Sequence, residues 1–129
     1  MSRYLLDTGI IIRHLRGRRP IVRLLRGLGR QGRLSISTIT RLEIVAGMRP
    51  AEQFMTQKLL SRFQAYDVNK NVADRAGELL RWARQEGHFL SVPDAIIAAT
   101  AVQHQLTLLT FNEKDFQPLP NISLYPIED

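Results

Sequence analysis

Four stretches of the sequence carry polar residues suited to chemistry, and each stands beside a short apolar run. Asp7, Glu43 and Asp94 each follow a predicted strand or open the next predicted helix, and residues 110–115 follow another predicted strand. Carboxylates that are brought together repel one another, and the repulsion raises their pKa values unless a cation neutralises it. Mg²⁺ and Mn²⁺ prefer oxygen ligands and retain waters for chemistry. The pattern therefore points to a metal site of the kind that hydrolyses phosphodiesters.

The same residues also have structural interpretations. Asp7 is suited to cap the helix that follows it, and an acid such as Asp94 is favourable at a helix N-terminus. Both Thr40-x-x-Glu43 and Ser91-x-x-Asp94 match a capping box. Each residue taken singly is more typical of a helix cap. The four stretches taken together favour a common site, because all of them are expected at one edge of a sheet.

Short apolar runs alternate along the chain with longer stretches of helical periodicity, which is typical of an α/β fold with a parallel sheet. The predicted strands cover residues 4–6, 34–36, 65–68, 106–110 and 122–124. The predicted helices cover residues 10–15, 21–28, 40–48, 51–63, 72–85 and 94–103. In such sheets, ligands bind at the carboxyl ends of the strands.

The charge of the chain is strongly uneven. The net charge is +6 and the pI is about 10.5. The first fifty residues contain eleven Arg and only two acids, whereas the remainder is slightly acidic. A basic segment attracts polyanions, and nucleic acid is the usual one. A solvated helix face, or a surface that meets an acidic protein, would explain the same charge.

Composition excludes several classes of protein. There is no cysteine, which removes disulfides, cysteine-ligated zinc and thiol nucleophiles. No apolar run approaches the roughly 20 residues that cross a bilayer. The first apolar stretch is interrupted by Asp7, and the group Arg13, Arg16, Arg18 and Arg19 follows it rather than precedes it, which is unlike a signal peptide. We therefore expect a cytoplasmic protein with no membrane partner.

Four motifs in order carry a family resemblance. They are residues 4–12 (YLLDTGIII), 35–47 (SISTITRLEIVAG), 93–101 (PDAIIAATA) and 108–116 (LLTFNEKDF). Each motif is weak alone, but the four occur in the family's order and span almost the whole chain. The chain resembles the PIN-domain family and, within it, the VapC-type ribonuclease toxins of bacterial toxin–antitoxin pairs.

The resemblance implies a three-layer α/β/α fold around a parallel sheet of about five strands, with residues 1–129 forming a single PIN domain. It implies an endoribonuclease that depends on Mg²⁺, for which Mn²⁺ is expected to substitute. By position, Asp7, Glu43 and Asp94 carry over as the metal-site acids. Thr110 carries over as an accessory hydroxyl near the site.

The resemblance also implies partners: an RNA substrate, a cognate VapB-like protein antitoxin and a second copy of the chain in a homodimer. We expect the antitoxin to lay an amphipathic segment across the groove, with an Arg or Lys reaching toward the acids. We expect Arg13, Arg16, Arg18 and Arg19 to hold the RNA backbone.

One departure from the family pattern concerns the fourth motif. Many members have an acid two residues after the Thr, and here that position is Asn112. Asn112 could hold a metal-bound water through its amide oxygen, or Asp115 could complete the site instead. The sequence leaves both candidates open.

Two other functions compete with the nuclease. In a non-catalytic RNA- or antitoxin-binding module, the acids would be caps and Asn112 would reflect lost activity. A phosphoryl-accepting signalling domain has a similar sheet. That domain needs paired acids after the first strand and a Lys after the fifth, and neither is visible in this sequence.

Overall fold

The computed structural model describes residues 2–127, and its centre is a single sheet of five strands that are all parallel. The strands are β1 (Ser2–Leu6), β2 (Gly32–Ser37), β3 (Gln64–Tyr66), β4 (Thr107–Leu109) and β5 (Ser123–Tyr125). Their order across the sheet is β3-β2-β1-β4-β5. The predicted α/β fold with a parallel sheet of about five strands is confirmed.

Within residues 2–127, seven α-helices connect the strands. They are α1 (Thr8–Leu15), α2 (Arg19–Gln31), α3 (Thr38–Gly47), α4 (Gln53–Leu60), α5 (Lys70–Gln85), α6 (Val92–Gln103) and the short α7 (Glu113–Phe116). Among residues 2–127, no helix combines the length and the apolar character that crossing a membrane requires.

Two apolar cores lie on opposite faces of the sheet, so the molecule has three layers. Successive residues of β1 point to opposite faces, and Leu5 and Leu6 accordingly belong to different cores. Leu5 packs with the buried faces of α5 and α6. Leu6 packs with buried residues of α1, α2, α3 and α4. Helices on both faces are what right-handed crossovers between parallel strands produce.

Several element boundaries differ from the sequence prediction. The helix that begins near residue 19 continues through Gly29 and ends at Gln31, directly before β2 begins at Gly32. Gly29 keeps helical geometry at a cost of about 1 kcal/mol relative to Ala. The helix predicted over residues 51–63 is a 3₁₀ turn (Pro50–Glu52) followed by α4. It ends early where the Ser61 hydroxyl donates to the carbonyl of Lys58 at 2.7 Å.

The strand predicted over residues 65–68 covers only Gln64–Tyr66. Val68 lies beyond the strand, and its backbone N–H donates to the Thr38 hydroxyl at 3.2 Å. That hydrogen bond ties the end of β3 to the start of α3 instead of extending the ladder.

The parallel sheet has two distinct ends. The carboxyl edge is where β1, β2 and β4 end, and the amino edge is where β2 and β3 begin. Six residues of β2 separate the two edges by about 20 Å.

Candidate active site at the carboxyl edge

The crevice at the carboxyl edge opens between β1 and β4, where the strand order reverses. Chains leaving neighbouring strands in opposite directions at such a point leave room for a ligand. Asp7 directly follows β1, and its backbone N–H donates to the carbonyl of Leu109 at 3.0 Å. Thr110 directly follows β4. The fold therefore places Asp7 and Thr110 side by side at the floor of the crevice.

Asp7 is only 5% exposed, and two donors hold its carboxylate. Oδ1 accepts the backbone N–H of Thr8 at 2.8 Å, and Oδ2 accepts the Thr110 hydroxyl at 2.6 Å. Asp7 is also the N-cap residue of α1. The capping role and the position in the crevice are thus compatible, because the cap fixes the carboxylate where the strands end.

Thr110 fixes the orientation of the Asp7 carboxylate. Its hydroxyl oxygen accepts the backbone N–H of Asn112 at 2.9 Å, so its one proton is directed to Asp7. Thr110 is buried, at 3% exposure, which excludes water as a competing partner.

Glu43 reaches the crevice from the middle of α3. Its Oε1 accepts the Thr8 hydroxyl at 2.7 Å, and the Thr8 oxygen lies 3.0 Å from the hydroxyl of buried Thr40. The predicted capping box of Thr40 and Glu43 is wrong, because α3 begins earlier. Its N-cap is Ser37, whose hydroxyl accepts the backbone N–H of Ile39. The Glu43 side chain is therefore available to the crevice.

Asp94 stands in the first turn of α6, after the N-cap Ser91, whose hydroxyl accepts the Asp94 backbone N–H at 3.2 Å. Burial against this apolar helix is the main reason that the pKa of Asp94 is raised to about 6. The negative charges of Asp7, Asp115 and Glu43 raise that pKa further, and the Ser91 hydrogen bond opposes the rise.

Asp7 is affected by its neighbours in the same way. Burial is the largest cause of its raised pKa, the donors Thr110 and Thr8 oppose the rise, and the charges of Glu43 and Asp115 add to it. Asp7, Glu43, Asp94 and Asp115 thus form one electrostatic cluster, which we term the carboxylate cluster. Mutual repulsion of this kind favours a bound cation.

The fourth motif contributes the charge of Asp115 to this cluster, whereas Asn112, the other candidate of that motif, is neutral. Asn112 is exposed and makes no side-chain capping hydrogen bond to α7. Asp115 is half-buried, and the ring Nε2 of His88 donates to its carbonyl at 2.9 Å. The next residue, Phe116, is fully buried and anchors α7 in the core. This anchoring explains why Asp115 lies close enough to shift the pKa of Asp7.

Comparison with known proteins decides the family. The PIN domain model matches residues 4–120 of the sequence. The chain belongs to the PIN-domain family. Ribonuclease VapC10 of Mycobacterium tuberculosis (strain ATCC 25618 / H37Rv) is 34% identical over 108 residues, which are 84% of this chain and 81% of that protein.

Solved structures agree with this assignment. A toxin-antitoxin complex from Klebsiella pneumoniae contains a chain 33% identical to this PIN domain, with a TM-score of 0.78 over 96% of this chain and 99% of that one. VapBC2 from Rickettsia felis, bound to a DNA fragment from its promoter, has a TM-score of 0.87 at 26% identity. That match covers 98% of this chain and all of the other.

The donor chemistry of this PIN domain fits a hard divalent cation. The carboxylate cluster offers only oxygen atoms, and the raised pKa values of Asp7 and Asp94 mark uncompensated negative charge. Within residues 2–127, no three Asp, Glu, His or Cys side chains are arranged as a ready-made ligand set. Mg²⁺ is usually bound by one or two carboxylates with waters completing its shell, so the cluster does not need a third direct ligand.

The arginines proposed as RNA contacts divide into two pairs. The Arg13 guanidinium lies 3.8 Å above the centre of the Phe111 ring and donates to the carbonyl of Gly9 at 3.3 Å. Arg16 lines a cavity of about 370 Å³ together with Glu43. Arg18 and Arg19 are exposed and lie at the start of α2, Arg18 as its N-cap residue.

Thr8 is the residue that the motif analysis missed. Its backbone binds Asp7 and its hydroxyl binds Glu43, so it connects two members of the carboxylate cluster. Its position directly after the strand-ending Asp7 was the available signal. The sequence analysis interprets that position only as the start of a capped helix.

Proposed function

We propose that this PIN domain is the toxin of a toxin–antitoxin pair and acts as a metal-dependent endoribonuclease that hydrolyses RNA phosphodiester bonds. The observation that carries the proposal is the carboxylate cluster, which lies where the strand order reverses, in a chain whose net charge is positive. The named ribonuclease relatives and the toxin–antitoxin complexes among similar structures support it. We further infer that residues 1–129 form this one domain and that it acts on RNA in the cytoplasm.

Asp7 and Asp94 are the residues that would hold the divalent ion directly, because burial and, to a smaller degree, the neighbouring carboxylates raise the pKa values of both, and a bound cation would relieve this. Glu43 and Asp115 would act through its waters. We propose Mg²⁺ as the ion, with Mn²⁺ able to substitute. When bound, such an ion lowers the pKa of a coordinated water and stabilises negative charge on phosphate oxygens.

The residues of the chain orient these groups. Thr110 keeps the Asp7 carboxylate turned into the crevice, and Thr8 does the same for Glu43. With its pKa near 6, Asp94 is mostly ionised at neutral pH and is ready to bind a cation. Arg13 and Arg16 would contact the RNA backbone beside the cluster.

A VapB-like protein antitoxin is the partner that similar complexes support. We propose that the chain also forms a homodimer. Exposed apolar side chains support protein interfaces, namely Leu42 and Val45 on α3 and Phe54 and Met55 on α4. The antitoxin would direct an Arg or Lys into the carboxylate cluster. Co-expression with the neighbouring small gene, followed by light scattering, measures both associations; a monomer that retains no partner would contradict them.

The decisive experiment incubates the purified, antitoxin-free protein with total cellular RNA, with and without Mg²⁺ or Mn²⁺. The Asp7→Asn variant is the parallel sample. Discrete fragments that require both the ion and Asp7 support the nuclease. A folded protein that binds Mn²⁺ and cuts nothing would instead be the non-catalytic RNA- or antitoxin-binding module.

A further inference from the structure

A cleft at the amino edge of the sheet is lined by arginines. It has a volume of about 720 Å³ and lies between α2, the start of β2 and the segment that joins α4 to β3. Arg26 and Arg30 form one wall, and Arg33 and Arg62 contribute from the other elements. None of the lining residues is acidic. We term this feature the arginine cleft.

The arginines of the cleft are not neutralised by any protein group in the part of the chain that the structure describes. Within residues 2–127, none of the four guanidinium groups forms an ion pair or a side-chain hydrogen bond, and all four side chains are exposed. Burial and the nearby charge of Arg62 lower the pKa of His14, which also lines the cleft. The cleft is therefore a concentrated positive region that attracts a ligand of opposite charge.

The arginines of α2 form a regular row. Arg19, Arg23, Arg26 and Arg30 are spaced by four, three and four residues, which places them within about 60° of arc on one face of the helix. The opposite face buries Ile21, Leu25 and Leu28. A row of evenly spaced cations suits a ligand whose anions also repeat along a chain.

The geometry points to the RNA backbone as the occupant: we propose that the arginine cleft and the row on α2 bind phosphates of the RNA substrate about 20 Å from the carboxylate cluster. Guanidinium groups grip phosphate through a planar fork of donors. This inference deepens the proposed function and rests on it, since it places a second part of the same RNA on this molecule.

An acidic protein segment is a weaker match to the arginine cleft. Protein interfaces have apolar or aromatic side chains at their centre. Within residues 2–127, the large apolar side chains that are exposed all lie outside the cleft: Leu42, Val45, Phe54, Met55, Val68, Phe89 and Val92. Of the apolar residues that line the cleft, Leu25 and Leu59 are buried in the core, and Val22, Leu34 and Phe63 are half-buried.

The test compares two double variants that each remove two exposed arginines from one helix. Arg26→Gln/Arg30→Gln changes α2, and the control Arg81→Gln/Arg84→Gln changes α5 on the other face of the sheet. Binding of fluorescein-labelled cellular RNA is measured by anisotropy in EDTA at several salt concentrations. We expect the α2 variant to bind roughly tenfold more weakly at 0.1 M salt, and its salt slope to fall by about 1.4.

A second pair, Arg33→Gln/Arg62→Gln, approaches the cleft from its other wall and should give the same losses. Equal binding by the α2 variant and the α5 control would overturn the inference. Unchanged RNA binding with weaker retention of the co-expressed antitoxin would also overturn it, and would assign the cleft to an acidic protein segment. Thermal unfolding of each variant confirms that it is folded.

Failure of this inference can be told apart from failure of the proposed function. A wild-type protein that binds RNA through the cleft but cuts none would contradict the nuclease and leave the cleft as a phosphate site. If the wild type cuts RNA with the same KM as the two cleft variants, Arg26→Gln/Arg30→Gln and Arg33→Gln/Arg62→Gln, only the role of the cleft would be contradicted.

Discussion

The two ends of the sheet treat charge in opposite ways. At the carboxyl edge, the carboxylate cluster is buried or half-buried, and threonine hydroxyls hold Asp7 and Glu43. At the amino edge, the arginine cleft is exposed and lacks protein partners within the described residues 2–127. Crowding like charges away from water costs free energy, whereas exposed guanidinium groups cost little. The buried carboxylate cluster therefore suits catalysis, whereas the exposed arginine cleft suits binding of an anionic ligand.

Asp7→Asn should have the largest effect of any single change. The amide oxygen can accept only one of the two hydrogen bonds that Thr8 and Thr110 donate to the carboxylate, and the substitution removes the negative charge from the floor of the crevice. Changing groups that merely support a metal ligand costs about 10–100-fold, so loss of a ligand should reduce RNA cleavage by at least about 100-fold. Gel analysis of the fragments measures the rate.

The control for Asp7→Asn is Asp74→Asn, which makes the same chemical change at an exposed position on α5. It should cleave at the wild-type rate. The variant Asp7→Asn should remain folded with a melting temperature close to that of the wild type, because removing a buried charge is stabilising while losing one acceptor oxygen beside the buried Thr110 is destabilising. Cleavage retained by a folded Asp7→Asn protein would contradict the assigned site.

Thr110→Val tests whether the hydroxyl orients Asp7. The substitution keeps the shape of the side chain but removes the proton given to Asp7 and the acceptor used by the Asn112 backbone. We expect cleavage to fall by about 10–100-fold and the Mg²⁺ concentration needed for half-maximal rate to rise. Thr107→Val, at the start of β4, is the control, since among residues 2–127 the Thr107 hydroxyl lies within hydrogen-bond distance only of the Ser123 hydroxyl, at 3.4 Å. Equal rates for the two variants would argue against an orienting role.

The sequence was sufficient for the fold because apolar periodicity is local information. The strand ending at Leu6 and the position of Asp7 after it follow directly from that pattern. The sequence leaves open whether Asn112 or Asp115 completes the site, because the positions of both side chains depend on how buried Phe116 anchors α7. The row of arginines on α2 was not predicted either, because the predicted helix stops before Gly29 and therefore excludes Arg30.

Asp115→Asn and Asn112→Ala compare the two candidates for the fourth position. The charge of Asp115 raises the pKa values of Asp7 and Asp94, whereas the Asn112 side chain is exposed. We expect Asp115→Asn to reduce cleavage by about tenfold, as supporting groups at metal sites do, and Asn112→Ala to stay within about twofold. Rates measured at saturating Mg²⁺ decide between them. The reverse order would assign the role to Asn112.

The smallest expected effect is on stability as a function of pH. In the folded protein the pKa of Asp94 is raised from 3.8 to about 6, so the folded state binds more protons than the unfolded state between those values. The free energy of unfolding should therefore fall as the pH rises from about 4 to above 6, and then level off. The raised pKa of Asp7 acts in the same direction. Urea unfolding in EDTA at several pH values measures the effect.

Two histidines act against this trend, so the informative quantity is a difference between proteins. The pKa values of His14 and His104 are lowered, mainly by burial, which makes the folded state more stable as the pH rises through their range. Subtracting the profile of Asp94→Asn from that of the wild type removes their contribution and isolates the carboxylate.

Mg²⁺ should restore stability to the wild type near neutral pH more than to Asp94→Asn, because the ion neutralises the charge that Asp94 contributes. Arg26→Gln/Arg30→Gln should keep the wild-type pH profile, since guanidinium groups do not titrate in this range. Identical profiles of unfolding free energy against pH for the wild type and Asp94→Asn would mean that repulsion at the carboxyl edge does not affect stability. The carboxyl edge would then not differ from the arginine cleft in this respect.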